Sequence, residues 1–225
     1  MTSEVETVQS VIEHRGIVRL CHFTRLDSLT KMIEEGAIHS RAALEERGSA
    51  YFPNDPDRYD GHKELISTTI QYPNVHTLRG FRTSYGPSIA WAVMCLDPNV
   101  MVQSGTLFCP CNAATQNGAH MAPGVVGLTR LFDSTTPGFT YRRGAIHLGS
   151  CPTNMQAEVL VPGPIEIGSC RGIVVENGEH QLQVRAMLLQ ANIEIPVAVQ
   201  KNFFDVDVLR DSIQNGRVVR VGDVE

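Results

Sequence analysis

Hydrophobic and polar residues alternate in several short runs of the chain, and this period is typical of strands buried on one face. The first run extends from Ile17 to Thr24. Apolar residues then recur at helical spacing, at Leu29, Met32 and Ile33. Asp27 is the expected N-cap of this helix and Gly36 its expected end. The pattern predicts a strand followed by a short amphipathic helix.

Similar patterns predict the remaining elements. Further strands are expected over Leu65 to Ile70, Ser88 to Leu96, Met155 to Val161, Ile165 to Val175 (one strand or a pair) and Ile193 to Val199. Helices are expected over Val75 to Arg82, His180 to Ala191 and Val206 to Asn215. Residues 48–64 read as a long ordered loop, and residues 103–150 as largely irregular. Strands outnumber helices and lack regular helical crossovers, which favours an α+β fold with mixed or antiparallel sheets.

The length of 225 residues fits one generous domain, with residues 1–16 as a lead-in and residues 17–225 as the domain. The longest uninterrupted apolar run, Ile89 to Leu96, has eight residues, whereas a membrane span needs about 20. The first residues are acidic and polar, unlike the basic start of a signal peptide. We therefore expect a cytoplasmic protein without a membrane segment.

Charge and cysteine content exclude two further classes. A net charge of −5 argues against a protein that coats nucleic acid by bulk electrostatics. An enzyme that binds only a few nucleotides in a locally basic cleft remains compatible with it. Six cysteines in 225 residues are too dilute for a disulfide scaffold, so reduced thiols are expected.

Two short segments are candidates for chemistry. In the first predicted strand, alternation places His22 and Thr24 on one face, where both can contact one ligand; a half-buried histidine bonded to the backbone is the alternative. In the strand over 155–161, Gln156 and Glu158 share a face for the same reason. A carboxylate in so apolar a strand must be partnered or functional, and a structural salt bridge is the alternative for Glu158.

Other familiar motifs are absent or incomplete. The loop aspartates at 55, 57 and 60 lack the glutamate that closes an EF-hand. The Cys109-Pro110-Cys111 segment has no second ligand pair at zinc-site spacing, so no metal is expected. Neither a Rossmann nor a Walker glycine loop is present. NAD or ATP bound in those two modes is therefore not expected.

Combined, these segments resemble the DarT-type ADP-ribosyltransferases, toxins that attach ADP-ribose to DNA bases. The resemblance covers about residues 17–177 and rests on the segments Leu20–Leu29, Glu35–Gly36, Asn54–His62, Phe108–Ala114 and Cys151–Val161. Its most specific part is the combination of His22-Phe23-Thr24 with Gln156-Ala157-Glu158. The family implies an ADP-ribosyltransferase-like domain in which two mixed or antiparallel sheets flank a cleft for NAD, the donor substrate.

The resemblance also implies roles for individual residues. Glu158 would be the catalytic glutamate that hydrogen-bonds the nicotinamide ribose, and Arg58 a catalytic arginine beside the acceptor base. Residues expected to bind NAD are His22, Phe23, Thr24, Asp27, Leu29 and Arg58. Asn154 and Gln156 are expected to contact the acceptor DNA. Arg79 and Arg82 are further candidates, because single-stranded DNA is usually bound in a basic groove.

The acceptor is expected to be a base of single-stranded DNA, either thymine or guanine, because a base inside a duplex is hidden. The resemblance further implies an ADP-ribosyl-hydrolase antitoxin, of the macrodomain or a related class, as partner of this toxin. Two alternatives remain: an NAD-dependent transferase acting on RNA or protein, and a non-catalytic NAD-binding module.

Overall fold

The computed structural model describes residues 6–48 and 61–222. Its strands are β1 (Leu20–Arg25), β2 (Ala37–Ile38), β3 (Leu65–Ile70), β4 (Trp91–Leu96), β5 (Leu107–Cys109), β6 (Ala122–Pro123), β7 (Glu158–Pro162), β8 (Ile165–Glu166), β9 (Cys170–Val175) and β10 (Val197–Val199). Its α-helices are α1 (Val8–Arg15), α2 (Leu26–Glu35), α3 (Arg41–Glu46), α4 (Val75–Tyr85), α5 (Gly124–Arg130), α6 (Gly178–Gln190) and α7 (Val206–Gln214). Short 3-10 helices cover Pro98–Val102, Thr115–Gly118, Ile167–Ser169 and Lys201–Phe204.

Most strands join one large sheet in the order β10-β9-β4-β1-β3-β7-β5-β6, and β2 pairs with β8 separately. The β9–β10 pair is parallel, whereas β1, β3, β4, β5 and β7 pair antiparallel with their neighbours. The predicted α+β class with a mixed sheet is therefore confirmed. Within the described ranges, no helix is long and apolar enough to cross a bilayer.

The large sheet is nearly divided in two at its centre. In the described part of the chain, β1 and β3 pair over Leu20–Ile70 and Cys21–Thr69 alone. Beyond these pairs β1 continues along β4 as far as Arg25, and β3 continues along β7. Residues 22–25 and 65–68 thus border a gap, here called the sheet opening. The two sheets of the described residues are therefore one eight-stranded sheet, with this opening at its centre, and the two-stranded β2–β8 sheet.

Strand β4 shows how the sheet is covered on both faces, because its six residues are all buried. Alternation directs Met94 and Leu96 to the core beneath α2 and α6. Val93 and Cys95 pack on the other face, in a cluster with residues of α4 and α7. Burying each such aliphatic side chain contributes roughly 1.5–3 kcal/mol. The half of the sheet that contains β4 is thereby held between two helical layers.

Helix α2 begins earlier than the sequence predicted. Asp27 is not its N-cap: the cap residue is Arg25, which makes no side-chain capping bond. The reason is that Leu26 N–H donates to the Ala90 carbonyl at 3.1 Å, so the chain passes directly from β1 into the helix. Asp27 lies in the first turn, where a negative charge favours the helix dipole. The predicted end is confirmed, since Gly36 caps the helix with φ 71°.

Strand β7 begins later than predicted. The expected strand started at Met155, but residues 154–157 form a turn in which Ala157 N–H donates to the Asn154 carbonyl at 3.0 Å. Gln156 N–H donates to Asn154 Oδ1 at 2.9 Å. These local bonds occupy the donors that a strand would need. Gln156 therefore does not share a strand face with Glu158, which is the first residue of β7.

Candidate functional site

The His22 ring lies at the sheet opening. Its Nδ1 is 3.0 Å from the Ser67 carbonyl oxygen, beyond the last residue pair of the β1–β3 ladder. A carbonyl can only accept, so Nδ1 carries the hydrogen and donates it. Burial lowers the pKa of His22, and the bond to Ser67 offsets this only in part. The ring is therefore neutral at pH 7, with Nε2 as an acceptor for a ligand donor.

The Glu158 carboxylate is held from β3. Ser67 is opposite Leu160 in the β3–β7 ladder, so Ser67 and Glu158 are diagonal neighbours on one face. The Ser67 hydroxyl donates to Glu158 Oε2 at 2.7 Å. Ser67 consequently joins the two predicted functional side chains, contacting His22 through its carbonyl and Glu158 through its hydroxyl.

The other carboxylate oxygen faces the segment after β5. Asn112 Nδ2 donates to Glu158 Oε1 at 2.8 Å, and Ala113 N–H lies 3.4 Å from the same atom. Glu158 is only 8% exposed. Burying a carboxylate is costly unless hydrogen bonds compensate, and these donors supply that compensation. These groups orient the carboxylate through both of its oxygens.

The neighbours of His22 in β1 have different surroundings. Phe23 lies on the other face, with ring centroids 6.0 Å from both Phe81 and Trp91. Thr24 is fully buried, and its hydroxyl is 3.5 Å from the Arg25 carbonyl. The alternation predicted for β1 is thus present, but His22 is more accessible than Thr24.

The remaining residues expected to bind NAD are not gathered in the same way. Leu29 is fully buried in the core beneath α2, whereas Asp27 is exposed on that helix. Arg58 lies outside the described residues. The structure therefore brings His22 and Glu158 together through Ser67, and leaves Leu29 within the packing.

The loop before β7, residues 150–156, is braced from the preceding segment. Arg143 Nη1 donates to the Cys151 carbonyl at 2.8 Å, and Nη2 donates to the Leu148 carbonyl at 3.1 Å. His147 Nε2 lies 3.2 Å from the Pro152 carbonyl. Burial and the charge of Arg143 lower the pKa of His147 to about 4, so His147 is neutral and donates this bond. The loop has a fixed shape at the edge of the site.

The predicted acceptor-binding residues fall in two places. In the braced loop, Asn154 is buried and its Oδ1 accepts from Gln156 N–H, so that oxygen shapes the turn. On α4, Arg79 is exposed. Arg82 contacts both oxygens of Glu176, at 3.0 and 2.8 Å. Arg79 is therefore the more accessible of the two arginines.

Two thiols lie beside the carboxylate. Cys109 pairs with Glu158 in the β5–β7 ladder, and its Sγ is 3.8 Å from that of Cys111. The hydrogen bond from Cys109 lowers the pKa of Cys111 to about 7, and the same contact raises that of Cys109. Within residues 6–48 and 61–222, no three His, Cys, Asp or Glu side chains converge as metal ligands.

Solved structures with this architecture define the class. Thermus sp. 2.9 DarT in complex with NAD+ is 12% identical, with a TM-score of 0.60 over 83% of this chain and 97% of that one. The same protein in complex with ADP-ribosylated ssDNA is 12% identical, with a TM-score of 0.56 over 84% and 97%. Thermosipho africanus DarTG in complex with ADP-ribose is 16% identical, with a TM-score of 0.55 over 83% of this chain and 51% of that one. The fold is that of DarT.

The family follows from the sequence itself. The family model described as "ssDNA thymidine ADP-ribosyltransferase, DarT" matches residues 21–205. This chain therefore belongs to the DarT family of single-stranded DNA thymidine ADP-ribosyltransferases. Of the two bases that the sequence left open, the family description names thymine. No sequence among curated proteins matches the chain significantly.

Sequence reasoning missed two residues that contact Glu158. Ser67 lies in a strand that reads as buried, and a serine there signals a hydrogen-bonded role without naming its partner. Asn112 lies in the segment that resembles the family, but in a region predicted to be irregular. Both contacts depend on strand register, which sets Ser67 and Cys109 beside Glu158.

Proposed function

We propose that this chain transfers ADP-ribose from NAD+ to thymidine in single-stranded DNA, with Glu158 as the catalytic carboxylate. The observation that carries the proposal is the placement of Glu158 at the sheet opening, hydrogen-bonded by Ser67 and Asn112 and joined through Ser67 to His22. The membership of the chain in the DarT family supplies the reaction.

Glu158 has the chemistry that this transfer needs. Breaking the bond between ribose and nicotinamide develops positive charge on the sugar ring, as in glycoside hydrolysis. A carboxylate that accepts a hydrogen bond from a ribose hydroxyl stabilises that charge more strongly in the transition state than in the ground state. Because Glu158 is already held by its donors, it does not need to reorganise when the charge appears. Its contribution should be worth roughly 10²–10³ in rate.

His22 would bind the NAD+ donor next to this carboxylate. Its neutral ring presents Nε2 as an acceptor, which suits a hydroxyl of NAD+. Thr24, Phe23, Asp27 and Leu29 remain predicted contributors to the NAD+ site from the family resemblance. Arg58 is proposed, on the same resemblance, to hold the phosphates or to assist proton loss from the thymine ring nitrogen.

The braced loop 150–156 and helix α4 would receive the DNA strand. We assign Asn154 and Gln156 to the side of the acceptor base, because they lie four and two residues before Glu158 in the braced loop. Arg79 and Arg82 are assigned to the backbone phosphates, with Arg79 the more exposed. Since the net charge is −5, binding should be weak and depend on few phosphates.

Mass spectrometry of oligonucleotides tests the transfer. The protein is incubated with NAD+ and a thymidine-containing DNA strand, which should gain one ADP-ribosyl group. A strand with deoxycytidine in place of thymidine, and an RNA strand, should remain unmodified. Glu158→Gln should slow product formation roughly 10²–10³-fold and keep the wild-type melting temperature, and Glu166→Gln at an exposed site on β8 is the matched control. Product formed only on RNA or protein would favour the alternative acceptors. If no nicotinamide is released at all, the proposal that the chain is a transferase is wrong.

The family resemblance also supports a toxin role in the cytoplasm, where NAD+ and DNA strands are both present. The partner proposed is an ADP-ribosyl-hydrolase antitoxin of the macrodomain or a related class. Induced expression should arrest growth, and the Glu158→Gln variant should not. Growth should return when a hydrolase that removes ADP-ribose from the modified strand is expressed together with the chain. Growth unaffected by the active wild-type chain would contradict this role.

A further inference from the structure

The side chain of Asn112 makes two contacts that fix its orientation. Its Oδ1 accepts from Ala114 N–H at 3.0 Å, and its Nδ2 donates to Glu158 Oε1 at 2.8 Å. An amide oxygen accepts and an amide nitrogen donates, so the two contacts define which end of the amide faces the carboxylate. The same residue closes the turn through its backbone, because Thr115 N–H donates to the Asn112 carbonyl at 2.9 Å.

The segment that carries Asn112 is anchored on both sides. Before it, Cys109 pairs with Glu158 in the β5–β7 ladder. Cys111 and Ala113 are buried with Cys109 and Leu160 in one apolar cluster. Buried neighbours on either side hold the Asn112 backbone beside β7. The bond from Ala114 N–H then orients the Asn112 amide toward Glu158.

We propose that Asn112 is a positioning residue that acts through Glu158 in ADP-ribosyl transfer. It fixes Oε1 while Ser67 fixes Oε2, and together they set the plane of the carboxylate that faces the ribosyl group. The inference rests on the proposed function and extends it to a residue that was not among the site residues predicted from the sequence.

Asn112→Asp isolates this role. The aspartate keeps an oxygen to accept from Ala114 N–H, so the turn should form, but it replaces the donor to Glu158 with a second carboxylate oxygen. Losing a hydrogen bond to a charged group costs about 1.5–3 kcal/mol, which lowers kcat roughly tenfold to a hundredfold. The KM for NAD+ should change less, because Asn112 is assigned no contact with the donor.

A pH series separates positioning from a structural effect. As the pH falls from 8 to 5.5, a proton shared between the two carboxyls restores a donor, so the ratio of variant to wild-type kcat should rise. His22, Cys109 and Cys111 also face this carboxylate, directly or through Ser67, and the pKa of Cys111 is about 7. The Asn112→Ala series carries the same three groups without a second carboxyl, so it supplies their contribution. Asn112→Ala, which has no carboxyl to protonate, should lose activity at every pH with a constant ratio.

The matched control is Asn177→Asp, at the N-cap of α6, where an aspartate can accept from His180 N–H as asparagine does. It should keep wild-type kcat, and all variants are checked by thermal melting. A wild-type kcat for Asn112→Asp, or a ratio that stays flat with pH, would overturn the positioning role while the wild-type chain remains active. A wild-type chain inactive on thymidine strands would overturn the proposed function as well.

Discussion

The Ser67 hydroxyl lies 2.7 Å from Glu158 Oε2 and donates to it across the β3–β7 pair. Ser67 is two residues beyond the β1–β3 ladder, so its carbonyl is left for the His22 ring rather than for a backbone donor. One residue therefore contacts both predicted functional side chains, which belong to opposite halves of the sheet.

Ser67→Ala should slow transfer without unfolding the protein. It removes a hydrogen bond to a charged oxygen, and the expected loss in kcat is roughly tenfold to a hundredfold. The backbone carbonyl that His22 uses is retained, so the KM for NAD+ should change less than kcat. The exposed Ser104→Ala variant is the control. Steady-state nicotinamide release measures kcat and KM. Equal kcat values for Ser67→Ala and the wild type would show that this contact does not support catalysis.

Arg143→Lys should destabilise the loop before β7. The guanidinium reaches the carbonyls of Leu148, Gly149 and Cys151, and a lysine ammonium cannot match this planar arrangement. The expected loss in the free energy of unfolding is about 1–3 kcal/mol. The exposed neighbour Arg142→Lys should stay within about 0.5 kcal/mol of wild type. Urea unfolding compares the two variants, and equal midpoints would show that Arg143 does not brace the loop.

His147 should make the folded protein less stable as the pH is lowered. Its pKa is lowered to about 4 in the folded protein, from 6.5, so between these values the unfolded chain binds a proton that the folded chain does not. The contribution of His147 to the free energy of unfolding is then constant above about pH 6.5 and decreases as the pH falls below it. In His147→Gln the decrease between pH 7 and 5 should be smaller, and the exposed His14→Gln is the control. Urea unfolding at each pH measures the free energy of unfolding. If this free energy changes with pH equally in the wild type and His147→Gln, the assignment to His147 is wrong.

Arg79→Ala should weaken binding of single-stranded DNA in a salt-dependent way. Each phosphate contact on a single strand contributes about 0.7 to the slope of log K against log salt, so the slope should decrease by about that amount. The control is Arg185→Ala, exposed on α6, which packs on the opposite face of the sheet from α4. Fluorescence anisotropy over a salt series measures both slopes. An unchanged slope for Arg79→Ala would show that Arg79 does not contact a phosphate of the DNA.

The sequence predicted the site better where the signal is local. Alternation in β1 identified His22, and the apolar run of β7 made the carboxylate of Glu158 conspicuous. Helix boundaries were less accurate at Asp27, because the Leu26–Ala90 contact that starts α2 comes from a distant segment. Gln156 was misplaced because Asn154 forms a turn where alternation favoured a strand.

Contacts between distant segments could not be predicted from the hydrophobic pattern alone. Asn112 contacts Glu158 because β5 lies beside β7, and no period within residues 103–150 reveals that neighbour. The sheet opening has the same origin, since the sequence of β1 does not state where its pairing with β3 stops. Family resemblance supplied the reaction, and the register supplied the residues that support it.

The near division of the large sheet also determines when activity can first arise during synthesis. The contact of His22 with Ser67 joins residues 45 apart, and that of Ser67 with Glu158 joins residues 91 apart. The entropy cost of closing such long loops arises before the stabilising contacts form. We therefore expect this pairing to form late and slowly. A ribosome-bound chain that has not yet delivered β7 lacks the carboxylate altogether. If Glu158 is the catalytic carboxylate as proposed, a chain truncated upstream of β7 should transfer no ADP-ribose.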